Sequence, residues 1–225
     1  MDITEIIRQV AISAIPVLIA ITFHEVAHGL MAHKLGDPTA KVLGRLTLNP
    51  LAHIDPVGTV LLPIAMLVLS GGKFVFGYAK PVPINPNNFK NPHTGMAITA
   101  AAGPLCNVLL ALICVLLLKF AVLPLSTFVS PETASSVLKP ISLMLLSGIT
   151  MNLVLASFNL IPIPPLDGGR VAVGLLPYKM GRALSMLEPF GMIIVMLLIA
   201  SGYARIFTQP LLYLFSSLLG LVVGR

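Results

Sequence analysis

From Gly95 to Leu118 the chain contains no Asp, Glu, Lys or Arg. Such a stretch, wound as a helix rising 1.5 Å per residue, is long enough to cross the roughly 30 Å hydrocarbon core of a bilayer. Four further apolar runs, at about 10–32, 140–161, 184–200 and 206–223, repeat the pattern. Charged residues make up only 10% of the chain and apolar residues 56%, whereas a soluble domain carries about 25% charged residues. Too little polar surface is available to coat a water-soluble globule. The hydrophobicity equally excludes intrinsic disorder. The net charge of +6 comes from basic residues scattered between apolar runs, without clustering or aromatic interleaving, so nucleic acid is not expected as a partner. The expected fold is an all-α integral membrane protein with the lipid bilayer as its solvent. It forms one domain over 1–225, with a core at about 8–175 and accessory C-terminal helices at about 183–223.

Between the runs the sequence changes character. Residues 33–56 are polar and rich in turn formers, and 119–139 reads as a loop around Ser130-Pro131-Glu132. The first run lacks a basic leader and a small-residue cleavage site, which favours a retained helix over a signal peptide. Phe74 to Tyr78 suits a strand and Lys80-Pro81-Val82-Pro83-Ile84 suits extended backbone. Together with Lys41–Leu48, this stretch (Lys73–Ile84) is expected to supply short membrane-associated β-strands, whose edge could hold an extended peptide. Cys106 and Cys114 lie about two helical turns apart, too far for a disulfide within one helix.

The chemistry is concentrated in His24-Glu25-Val26-Ala27-His28. Histidines at i and i+4 share one helical face and can bind one metal ion, while the intervening glutamate can act as general base on the bound water. A bare glutamate inside an apolar run is costly, so an ionisable group there is functional by default. A catalytic zinc site needs a third protein ligand. Its candidates are His33, Asp37, His53, Asp55, His93, Asp167 and Glu188. Asp167 stands apart from the others. It follows a long apolar run and is framed by Pro162, Pro164, Pro165 and Gly168-Gly169, the irregular backbone that a membrane tolerates only around a polar or protein-buried site.

With these residues in view, the chain resembles the site-2 proteases, which are intramembrane zinc metalloproteases. The His24–His28 motif is similar to the family's first signature, and Asn159 through Gly169 to its second. Ala102-Gly103-Pro104-Leu105-Cys106-Asn107 resembles a Gly-Pro-x-x-Asn element, and Gly77-Tyr78-Ala79-Lys80-Pro81-Val82-Pro83 a compact prokaryotic branch without a PDZ domain. The resemblance implies one Zn²⁺ per chain on His24, His28 and Asp167, with Glu25 activating water. It places Asn159, and with it Asn107, on the substrate backbone or the developing oxyanion. Its implied partner is a transmembrane protein or peptide, cut within or near its membrane-spanning segment. A metal-ion permease or sensor, and an inactive scaffold of the same family, are the alternatives.

A shared zinc requires the C-terminal ends of the first helix and of the helix before Asp167 to lie at one depth, so the two helices must be parallel. An odd number of crossings then separates them, yet two apolar runs intervene. Residues 57–69 form the shorter run, too short to cross, so 57–72 is expected to enter and return. That leaves about five spanning helices plus one re-entrant segment. With this topology only Arg8, Lys119, Lys139 and Arg205 of the 14 basic residues fall on one side. The positive-inside rule then puts the N-terminus outside the cell membrane and opens the active site toward the cytoplasm.

Overall fold

The structure is a computed structural model, described over residues 3–69, 71 and 77–223. Its helices are α1 (Ile3–Lys34), α2 (Leu62–Leu69), α3 (Pro92–Leu125), α4 (Pro131–Asn159), α5 (Asp167–Leu175), α6 (Tyr178–Ser185), α7 (Glu188–Ala200) and α8 (Ala204–Val223). Three of the described segments are long and apolar enough to cross a membrane: Ile12–Lys34 within α1, Pro92–Leu125 and Pro131–Asn159. A fourth is reached if α6 and α7, bent by 69° at their junction, count together. The expected five is therefore not reached by length and composition among the described residues.

Helix directions follow from side-chain pairs. His24 on α1 meets Asn107 on α3, and His28, one turn later, meets Thr99, so α1 and α3 run antiparallel. On α4, Gly148 lies against Cys114 and near Pro16, while Asn152 bonds Asn107. Helix α4 is thus antiparallel to α3 and parallel to α1, with one candidate span between them. Ala111, Val115 and Leu153 close the α3–α4 seam, and Leu212 and Phe215 of α8 pack on it.

The described parts of the segment between α1 and α3 start and end side by side. A wide turn over Pro56–Leu61, capped by Asp55 accepting from the Val57 and Gly58 N–H groups, leads into α2. The chain is back beside its starting point at Tyr78, whose N–H donates to Gly58 O at 3.0 Å and whose carbonyl accepts from Thr59 Oγ1 at 2.9 Å.

The strand expectation is corrected. No strand occurs among the described residues, and the portion of that reading on 73–76 lies outside them. Thr39–Val42 is a helical turn, and Gly77–Ile84 is extended without a ladder. Pro81 and Pro83 carry no N–H, so the segment cannot present a regular donor row. Three of its amides find separate partners: Tyr78 N–H on Gly58 O, Lys80 N–H on His53 O at 2.9 Å and Val82 N–H on Glu25 Oε2 at 2.8 Å. The 119–139 loop is also mostly helix. Leu118–Leu125 continues the apolar run past a single Lys119, whose ammonium lies 5.2 Å from the Phe120 ring centroid. Ser130 starts α4 as an N-cap, accepting from Thr133 N–H at 3.2 Å with Pro131 at the first helical position.

Candidate metal centre and its cleft

His24 and His28 sit on the C-terminal part of α1, 8% and 7% exposed. Their rings are nearly perpendicular, with centroids 4.6 Å apart. The outer nitrogen of each ring is tied down. His28 Nδ1 lies 2.8 Å from the Thr99 carbonyl, which can only accept, so this nitrogen carries the proton. His24 Nδ1 lies 2.6 Å from Asn107 Oδ1. The orientation of that amide follows from its other end, where Asn107 Nδ2 donates to Ala20 O at 3.2 Å and to Asn152 Oδ1 at 2.8 Å. His24 Nδ1 is therefore the donor. Both Nε2 atoms are left with free lone pairs, and they face each other at 3.0 Å.

Asp167 opens α5 and completes the group. Its Oδ2 lies 3.2 Å from His24 Nε2 and 3.3 Å from His28 Nε2. The same oxygen is buried and has no hydrogen-bond partner. Three lone-pair atoms without a proton among them repel one another, and a cation at their centre removes that repulsion. The three side chains thus fit a divalent metal, with the outer-nitrogen bonds that orient metal-binding imidazoles. Two histidines and a carboxylate are also the donor types zinc takes. Glycines let the backbone close on the site. A Cβ on Gly103 would stand 2.4 Å from His28 Nε2 and 2.6 Å from His24 Cε1. On Gly168 and Gly169 it would stand 2.2 Å from Leu160 O and 2.1 Å from Pro164 N, so the turn holding Asp167 tolerates no side chain there.

Beside the three ligand candidates lies a cavity of about 470 Å³, bordered by Glu25, Tyr78, Asn159 and Met192 among others. A neighbouring cavity of about 380 Å³ shares His24, Glu25 and Asn159 and has an apolar wall of Val17, Ile21, Leu155 and Phe158. Glu25 is half-buried at this junction, one oxygen held by the Val82 N–H. Arg45 secures the extended segment by donating to the carbonyls of Lys80 at 3.0 Å and Pro81 at 3.4 Å.

The sequence-derived residues are thus brought together, with one change of place. Asn159 borders the cleft, and its Nδ2 donates to Leu155 O within α4 at 3.0 Å. Asn107, expected with it on the substrate, is fully buried and faces His24 instead. The other ligand candidates stay outside the group. Asp37 is buried and bonded to Thr39, Asn85 and Asn88. His53 Nε2 donates to Thr47 O at 2.9 Å, a carbonyl that only accepts. Asn152 was not anticipated. It is 2% exposed and links Asn107 to Gly148 O. An amide in the middle of the apolar run Met151-Asn152-Leu153 was the available signal.

Comparison with known proteins agrees with this geometry. The family described as peptidase family M50 matches residues 12–200. The Bacillus subtilis (strain 168) protein named "Putative zinc metalloprotease YwhC" is 35% identical over 198 residues, 88% of this chain and 84% of its own. A protein of the same description, Rip2 of Mycolicibacterium smegmatis, is 30% identical over 88% of this chain and 70% of its own. Rip2 of Mycobacterium tuberculosis (strain H37Rv) is 27% identical over 80% and 63% respectively. No solved structure matches significantly.

Proposed function

The chain belongs to peptidase family M50, and from that premise we propose how its residues divide the work of cutting a peptide bond inside a membrane. The protein is an intramembrane zinc metalloprotease. His24, His28 and Asp167 hold the zinc, one per chain. When bound, the metal supplies Lewis-acid polarisation of the scissile carbonyl and acidifies water. Glu25 is the general base. Its Oε2 is occupied by the Val82 N–H, which leaves Oε1 to take a proton from the attacking water. Glu25 then passes that proton to the amide nitrogen as the C–N bond breaks, and the second proton of the water moves from the new carboxyl group to the amine, so that the products separate as a carboxylate and an ammonium. Asn159 faces the substrate across the cleft, and Asn107 positions His24.

The substrate is a transmembrane protein or peptide whose helix unwinds locally. The apolar walls contributed by Val17, Ile21, Leu155 and Phe158 suit the side chains of such a segment. Helices α1, α3 and α4 are three of the five spans, and the apolar runs at about 184–200 and 206–223, the second within the 20-residue α8, are the other two. The N-terminus is outside and the cleft opens toward the cytoplasm, in keeping with the distribution of basic residues.

The single observation that carries this reading is the convergence of His24 Nε2, His28 Nε2 and Asp167 Oδ2 within 3.3 Å of one another beside Glu25. Metal analysis of the purified wild type is expected to find about one zinc per chain, lost in the double variant His24→Ala, Asp167→Ala. Glu25→Gln is expected to keep its zinc and to cleave a co-reconstituted single-span test protein about 10²–10⁴-fold more slowly. A zinc-free wild type prepared without chelator would refute the metal assignment. Undiminished cleavage by Glu25→Gln would refute the base.

A further inference from the structure

Helix α6 sits between the helix that starts with Asp167 and the apolar helix α7, and it is unlike both. At 100° per residue, Met180, Ala183 and Leu184 fall on one side and Lys179 and Arg182 on the other. Nothing covers most of this surface. Tyr178 is 70% exposed and Met180 57%, and Lys179 and Arg182 are exposed as well. Leu175, just before the helix, is 78% exposed. Only Gly181 is buried, where a Cβ would stand 2.6 Å from Val173 O of α5. The helix therefore docks through Gly181, with Leu184 and Ser185 half-buried, and turns Tyr178, Lys179, Met180, Arg182 and Ala183 outward.

The bend gives this amphipathic surface a direction. The axes of α6 and α7 differ by 69°, so α6 lies close to the membrane plane wherever α7 runs along the normal. Charge is one-sided too. Between Asp167 and Glu188 the sequence contains Arg170, Lys179 and Arg182 and no acidic residue. Arg170 is paired with Glu188 at 3.0 Å, which leaves Lys179 and Arg182 as the outward positive charge of this stretch. An amphipathic helix with apolar side chains on one side, Lys and Arg on the other and an aromatic ring at its edge is the form that lies in the headgroup layer.

We propose that α6 is an interfacial anchor that binds anionic lipid headgroups through Lys179 and Arg182 while Met180, Ala183 and Leu184 enter the acyl boundary. Through the Gly181–Val173 contact the lipid surface bears directly on the helix that carries Asp167. The anchor does not depend on any catalytic assignment, so it can be tested apart from cleavage.

The chain has no tryptophan, so Tyr178→Trp creates a single reporter within α6. The full-length protein would be reconstituted in mixed bilayers of phosphatidylglycerol and phosphatidylcholine, with one lipid or the other brominated. Fluorescence quenching is expected to report a preference for phosphatidylglycerol of about fivefold or more, since each basic residue near the surface contributes roughly that factor. Adding Lys179→Gln and Arg182→Gln should bring the preference to about one, with size-exclusion and thermal melting profiles unchanged. Met180→Trp serves as the reporter if Tyr178→Trp alters those profiles. Equal quenching by the two lipids, a preference that survives removal of both charges, or water-exposed emission without quenching would each overturn the proposal.

Discussion

At the scale of single residues, the site depends on where protons sit. His24 and His28 present lone pairs to Asp167 because Asn107 and the Thr99 carbonyl occupy their other nitrogens. Removing Asn107 frees His24 to rotate and to change tautomer. Asn107→Ala is expected to weaken zinc binding about 10–100-fold, the usual cost of losing an outer partner of a metal-binding imidazole. Competition with a calibrated chelator measures this directly, and unchanged affinity would show that Asn107 does no positioning. The pair of histidines and the intervening glutamate were legible in the sequence because helical spacing alone places i and i+4 on one face. Asn107 was visible as a residue but not in its role, since its partner is 83 positions away. Asn152 was overlooked for the same reason: a buried amide declares its purpose only through the group it touches.

Among elements, the segment 77–88 is held at several points. Tyr78 is bonded to the turn before α2, Lys80 to His53, and Asn85 and Asn88 to Asp37. Burial of Asp37 disfavours its charged form. Hydrogen bonds from Thr39, Asn88 and Asn85 nevertheless prevail and hold its carboxyl below the usual carboxylate range. A lowered folded-state value means that the contribution to stability is fully present above the unfolded value of about 3.9 and is lost as pH falls through the folded value. Thermal melting in detergent is therefore expected to show Asp37→Asn less stable than wild type at pH 7, with the gap closing in acid below pH 4. A gap independent of pH would mean that the charge is not what matters. Replacement by alanine leaves four donor groups without their acceptor and is expected to cost about 1–3 kcal/mol. Element types were largely readable from apolar periodicity and run length. Over the described residues 41–48 and 77–84 no strand forms, because a ladder needs a neighbour with free amides as well as strand propensity. The helical turns at Leu118–Leu125 and after Ser130 were readable from the continuing apolar run and the capping pattern, signals outweighed by the charge at Lys119 and the proline at 131.

For the whole molecule, α1 and α4 run parallel with α3 between them, so the metal group draws on one end of the bundle. The orientation proposed above makes Lys80, which is exposed on the cleft segment, accessible from the cytoplasmic side. In sealed right-side-out cells a membrane-impermeant amine reagent should leave Lys80 unmodified, and it should label Lys80 in inverted vesicles. Labelling in intact cells would invert the topology. What the sequence by itself determined is the membrane as solvent, the metal-binding pair with its glutamate, and the need for an odd number of crossings before Asp167. Each of these follows from local composition, from helical spacing or from the requirement that ligands share one depth. Only the tertiary structure decided that Asn107 and Asn152 stand behind His24, that the cleft segment is tied amide by amide instead of as a strand, and that α6 turns its charges outward. Those outcomes rest on hydrogen-bond partners and packing between residues far apart in the chain, which no local pattern specifies.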